Sequence, residues 1–202
     1  MRHAIIGFGQ VGQALAWAFA RNHRDVAVAG RRPVSELLPL AREIGPSVKP
    51  VTLEEAIEAD TVILAVPFWE HRTVAKARAN WQGRTIVDAT NAYGVPVEEL
   101  DGLPSSTVIA KAFPGGTLVK AFNHLPAAVL AADPHLPGGR RVVFLASDDE
   151  RAVTQVSDWV AQLGFAPIDL GTLAEGGTLV QARGRNWAKL IFQDLVKPDK
   201  AE

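Results

Sequence analysis

Three glycines near the start, Gly7, Gly9 and Gly12, constrain this chain more than any other feature, because they stand in the pattern G-x-G-x-x-G. A short apolar run, Ala4 to Ile6, precedes them and reads as a buried strand. After them Val11, Ala14, Leu15, Ala18 and Phe19 recur at helical spacing and predict a helix with one apolar face. A second strand is expected over residues 25–29. A glycine loop between a strand and a helix is suited to hold a pyrophosphate. The first glycine lets the chain turn sharply, the second lets the anion approach the backbone, and the third lets the helix pack close to the strand. The helix N-terminus then offers free N–H groups and a positive dipole end. Gly7, Phe8, Gly9, Gln10, Val11 and Gly12 are therefore the candidate phosphate cradle. The same glycines would also serve a tight turn that binds no nucleotide, but the strand–turn–helix setting favours the cradle.

The second strand leads into Gly30, Arg31 and Arg32. In a unit that binds NAD this place carries an acid for the ribose 2′-hydroxyl. Here two guanidinium groups stand instead, which suits a 2′-phosphate. The plainer alternative is a pair of solvated loop residues.

Further along, strands are expected over residues 48–51, 61–66, 85–88, 118–122, 141–146 and 165–170, with helices between most of them. Ser35 is the expected cap of a helix over 36–44, Thr52 and Glu55 form a capping box for 53–59, and Ser147 with Glu150 form another. A closing helix is expected over residues 178–196. The pattern predicts an α/β fold: a Rossmann-type doubly wound, mostly parallel sheet of about eight strands. No composition break divides residues 1–202, so a single domain with a short C-terminal helical extension is expected. Ligands in such sheets bind beyond the C-terminal ends of the strands. Three candidate clusters fall there: Val66, Pro67 and His71; Asp88 to Asn91; and Asn123, His124, Leu125 and Pro126. His71 and His124 are each open to two readings, a site residue or a structural histidine. Asp88 and Asn91 could equally satisfy their own turn.

Composition narrows the function further. With a net charge of −1, general attraction to nucleic acid or an anionic membrane is not expected. The absence of cysteine excludes disulfides, thiolate metal sites, iron–sulfur clusters and a cysteine nucleophile. Neither a metal-binding histidine pair, a P-loop lysine nor a serine-nucleophile elbow occurs. No signal peptide and no membrane span is read from the sequence, so a cytoplasmic protein with a small-molecule partner is expected, as a monomer or homodimer. The stretch after the helix that follows the seventh strand is expected to be too short for a second, substrate-enclosing helical domain. The second reactant would then lie on the cofactor domain itself. A flat ring stacked over a nicotinamide suits such a shallow site, and hydride passed between stacked rings needs little acid–base help.

Gly7 to Gly12, Arg31 and Arg32, the run Val66 to His71, Asp88 to Asn91, Lys120 to Pro126, and Asp169 to Ala174 together resemble the coenzyme F420-dependent NADP oxidoreductase family. That family is similar to the cytosolic domain of membrane metalloreductases, which pass hydride from NADPH to a flavin. The resemblance implies NADP(H) over Gly7 to Gly12, with its 2′-phosphate at Arg31 and Arg32. The nicotinamide would lie near Val66, Pro67 and His71; Asn91, from its own place beyond a strand end, could touch ribose or nicotinamide. A deazaflavin (F420) or flavin (FMN or FAD) would stack near Asn123 to Pro126. Asn123 and His124 are thereby the candidate catalytic residues. The expected function is hydride transfer between NADP(H) and a flat redox cofactor. Two alternatives stand beside it: reduction of a small carbonyl or imine, with His124 or His71 as proton donor, and a non-catalytic NADP(H) sensor.

Overall fold

The computed structural model describes residues 2–182 and 196–197. One sheet runs through them. Its parallel part consists of β1 (His3–Ile6), β2 (Val26–Ala29), β3 (Val48–Pro50), β4 (Thr61–Leu64), β5 (Thr85–Asp88) and β6 (Thr117–Ala121). They lie in the spatial order β3-β2-β1-β4-β5-β6. Every residue of β1, β4 and β5 is buried, as a parallel strand covered on both faces requires. Pro50 ends β3 at the sheet's edge, where a missing N–H is tolerated.

The long strand β8 (Gly139–Ala146) reverses direction and pairs antiparallel with β6. Strand β9 (Ala166–Asp169) runs parallel to β8. Two short strands, β7 (His135–Leu136) and β10 (Val196–Lys197), also pair with β8. The doubly wound α/β class is thus as expected, with eight longer strands and two of two residues each. The closing helix expected over 178–196 falls largely outside the described residues, and its last position belongs to β10 instead.

Helices cover both faces. α1 (Gln10–Arg21), α2 (Val34–Ile44), α6 (Ala127–Ala131) and α7 (Glu150–Gln162) pack on one. α3 (Leu53–Ala56), α4 (His71–Lys76) and α5 (Ser105–Ala112) pack on the other. Alternation along the strands feeds the two cores separately. Ile63 and Val87 join Phe19, Trp159 and Phe165 on the first face, whereas Val62, Leu64 and Ile86 join Trp81 and Phe113 on the second. Trp81 is fully buried and its indole N–H donates to the Ala75 carbonyl at 3.1 Å. A last short helix, α8 (Gly176–Leu179), follows β9.

Three local expectations are corrected. Ser35 lies inside α2, whose cap position is Pro33. The Thr52–Glu55 capping box forms, but α3 stops at Ala56 rather than 59. At α7 the cap is Asp149, whose Oδ1 accepts from Ala152 N at 2.9 Å. Ser147 instead donates its hydroxyl to the Leu118 carbonyl, so strand tethering outcompetes capping at that residue. Pro39 sits in the second turn of α2 and is exposed, where losing an intrahelical hydrogen bond costs least.

Candidate functional site

The strand order reverses direction at β1: the chain leaves it towards β2 on one side, and β4 lies on the other. A crevice opens at such a switch point. Here it is a cleft of about 480 Å³ at the C-terminal ends of β1, β2 and β4. Gly7, Phe8 and Gly9 form its floor, Gly30, Arg31 and Arg32 one wall, and Ala65, Val66 and Pro67 another.

Each of the three loop glycines answers to a different physical demand. Gly7 has φ +103°, and a Cβ there would fall 2.3 Å from the Ala65 carbonyl oxygen. A Cβ at Gly12 would fall 1.8 Å from the Gly7 carbonyl oxygen. Both positions therefore require glycine for the protein's own packing. Gly9 is different, since a Cβ there meets nothing within 4 Å. It caps α1 in an extended conformation with no side-chain hydrogen bond to the first turn. The N–H groups of that turn, at Gln10, Val11 and Gly12, follow directly and have no intrahelical acceptors. The loop is fixed where it touches the protein and bare where an anion would approach.

Arg31 and Arg32 are both exposed. Among the described residues neither guanidinium has an ion-pair or hydrogen-bond partner, and the only acid on the cleft is Glu70. Leu37, Leu53 and Val74 give the cleft apolar lining, to which Thr73 also belongs. The sequence reading did not single out these four; their signal is helical spacing from the strand ends, which only the fold turns towards the crevice.

His71 does not line the cleft. It is buried at the junction of the 3₁₀ turn Phe68–Glu70 with α4, and its Nδ1 is hydrogen-bonded to the Phe68 carbonyl. Burial lowers its pKa, against the opposing effect of that carbonyl and of Asp88. Trp69 lies half-buried beside it, with the Arg72 guanidinium 4.1 Å above the indole.

The remaining candidates gather at the ends of β5 and β6. Asn91 Nδ2 donates to the Asn123 carbonyl at 2.8 Å, and Asn123 Nδ2 returns a bond to Asn91 Oδ1 at 3.0 Å. Asn123 Nδ2 also donates to the Val180 carbonyl at 2.7 Å. The two asparagines thus clasp both loops and hold the segment after β9 against them. Phe122, just before, adopts φ +64° and stacks on Trp159. Leu125 is buried and Pro126 exposed at the start of α6.

The structure places the His124 ring inside the protein. It is 3% exposed, packs on Phe144 with centroids 4.9 Å apart, and faces the Val142 carbonyl through Nε2 at 3.3 Å. Burial lowers its pKa to about 4, so the ring is neutral near neutral pH. Beneath this cluster lies a pair that the sequence reading did not pick out as such. Lys120 Nζ is 2.9 Å from Asp88 Oδ2 and donates to the Thr90 carbonyl at 2.6 Å, with both side chains almost wholly buried. Among the described residues no group of three or more histidines and acids could hold a metal ion, and no helix is long and apolar enough to cross a membrane.

Residues 2–92 match the family described as NADP oxidoreductase, coenzyme F420-dependent. The chain is 33% identical over 175 residues to metalloreductase STEAP3 of Rattus norvegicus, covering 84% of this chain and 34% of that protein. It thus spans about a third of the length of the curated relatives it matches. A crystal structure of hypothetical protein SMa0349 from Sinorhizobium meliloti superposes with a TM-score of 0.85 at 42% identity, covering 90% of each chain. A protein described as an F420-dependent NADP-reductase, from Arthrobacter sp. FB24, superposes with a TM-score of 0.75 over 96% of this chain and 93% of its own, and at 23% identity speaks for the fold alone.

Proposed function

As the chain belongs, through residues 2–92, to the coenzyme F420-dependent NADP oxidoreductase family, we propose that it binds NADP(H) in the switch-point cleft and passes hydride to or from a flat redox cofactor, F420 or a flavin. One observation carries the reading: the bare Gly9 loop and two unpaired arginines line the same cleft. The first turn of α1 and the loop backbone would hold the pyrophosphate, and Arg31 with Arg32 the 2′-phosphate. Val66 and Pro67 would keep water from the nicotinamide end. The coenzyme supplies the hydride chemistry when bound. The chain's own part is to fix the ring and present it towards the loops after β5 and β6, where Asn91 and Asn123 set the loop shape.

The buried, neutral His124 speaks against the reading in which it donates a proton to a carbonyl or imine. A sensor that docks a protein partner would want an exposed apolar patch beside the cleft. Among the described residues the exposed large hydrophobic side chains are Trp17 and Tyr93, on different elements. Incubating the purified protein with NADPH and F420, FMN or FAD in turn, while following the NADPH absorbance, tests the proposal. Turnover with one of these acceptors is expected. Tight NADPH binding with no turnover would return the sensor reading.

A further inference from the structure

Among the described residues the cleft holds a single acid, and its position is unexpected for a site built to take an anion. Resting on the coenzyme reading above, we propose that Glu70 reads the amino edge of the adenine base of the bound dinucleotide, so that the protein selects the purine as well as the phosphate. Glu70 ends the 3₁₀ turn that follows β4, whereas Arg31 and Arg32 follow β2. The carboxylate therefore comes from a different wall of the cleft than the two cations. Among the described residues it has neither an ion-pair nor a hydrogen-bond partner, although free arginines line the same cleft.

A lone carboxylate facing a polyanionic ligand is repulsive unless it accepts a hydrogen from it. The ligand's adenosine half has few donors to give. Its 2′-oxygen carries the phosphate, and its 3′-hydroxyl lies beside that phosphate, on the side of the arginines. The exocyclic amine of the base is the remaining donor. Leu37, Leu53 and Val74 line the same cleft as the charged groups. Such an apolar slot suits a flat heterocycle and is poor for a sugar or a phosphate. A base seated there could present its amine to the Glu70 carboxylate, which lines the same cleft.

The test is a binding titration of the purified chain with NADPH and with its hypoxanthine counterpart, in which a carbonyl oxygen replaces the amine. The parent should bind the hypoxanthine coenzyme about tenfold more weakly or worse, because its 6-oxygen faces the carboxylate and its one new donor, N1–H, lies one ring atom away from the lost amine. In Glu70→Gln the side-chain amide can donate to that carbonyl, and the gap should narrow to about threefold or less. Equal affinity of the parent for both coenzymes overturns the proposal without any variant. An unchanged gap in a folded Glu70→Gln protein takes the selection away from Glu70. Binding of neither coenzyme would overturn the NADP(H) reading itself, which separates that failure from the failure of this one.

Discussion

Substituting the three loop glycines one at a time should separate packing from function. At Gly12 a Cβ would stand 1.8 Å from the Gly7 carbonyl oxygen, so α1 must move off the loop. Overpacking of this kind costs about 1–3 kcal/mol or more. At Gly7 the clash with the Ala65 carbonyl at 2.3 Å adds to a backbone at φ +103° that L-residues rarely adopt. Gly7→Ala should likewise cost at least about 1–3 kcal/mol. Gly9 sits at φ −85° and ψ −162°, open to any residue, with free space around the would-be Cβ. Gly9→Ala gains from a stiffer unfolded chain and loses as a poorer N-cap, so its stability should stay within about 0.5 kcal/mol of the parent. Binding should follow the opposite order. A side chain at Gly9, valine above all, would deny the pyrophosphate two or more charge-assisted hydrogen bonds. That is about 3 kcal/mol, or a hundredfold in NADPH affinity. Thermal melts should show Gly7→Ala and Gly12→Ala lowered by roughly 2–12 °C and Gly9→Val by no more than about 2 °C, while a fluorescence titration shows Gly9→Val binding NADPH about a hundredfold more weakly. A folded Gly9→Val protein with parental NADPH affinity would refute the cradle.

Other perturbations have equally definite outcomes. Replacing both Arg31 and Arg32 with alanine should weaken NADPH by about a hundredfold and NADH little, in paired titrations; equal losses would mean that the arginines hold the loop rather than the phosphate. Lys120→Met strands the Asp88 carboxylate in the interior and should cost about 3–5 kcal/mol in denaturant unfolding. The double variant Asp88→Leu, Lys120→Met should recover much of that, and a double variant as unstable as the single one would contradict the desolvation argument. His124 is neutral in the fold because its pKa falls from 6.5 to about 4. Its contribution is therefore complete above pH 6.5 and is lost as the pH falls towards about 4, a difference of about 3 kcal/mol. His124→Gln should flatten that part of the stability–pH curve, and an unchanged slope would place the titration elsewhere, with His3 the next candidate.

The glycine spacing and the strands' apolar runs carried the doubly wound fold, because period and punctuation follow from local sterics. The cleft's loop glycines and arginines were legible for the same reason, since each follows directly on a strand end. What the sequence did not carry is depth. His124 stands beyond a strand end, as a site residue would, yet β8 reverses to cover it, and a reversal of strand direction leaves no mark in hydrophobic periodicity. Asp88 and Lys120 read as two polar residues 32 apart, and only the parallel pairing of β5 with β6 sets them opposite one another. Ser147 followed the capping-box pattern, but a neighbouring carbonyl claimed its hydroxyl.

The contact that forbids a side chain at Gly12 has a thermodynamic consequence. With α1 seated against the Gly7 carbonyl, and Gly7 N bonded to the Ala29 carbonyl at 2.8 Å, the loop is held by its two neighbours before any ligand arrives. Its conformational entropy is lost in folding and not in association. An anion docking on such a loop need not organise it first, so the association rate should be set by diffusion and charge rather than by loop closure.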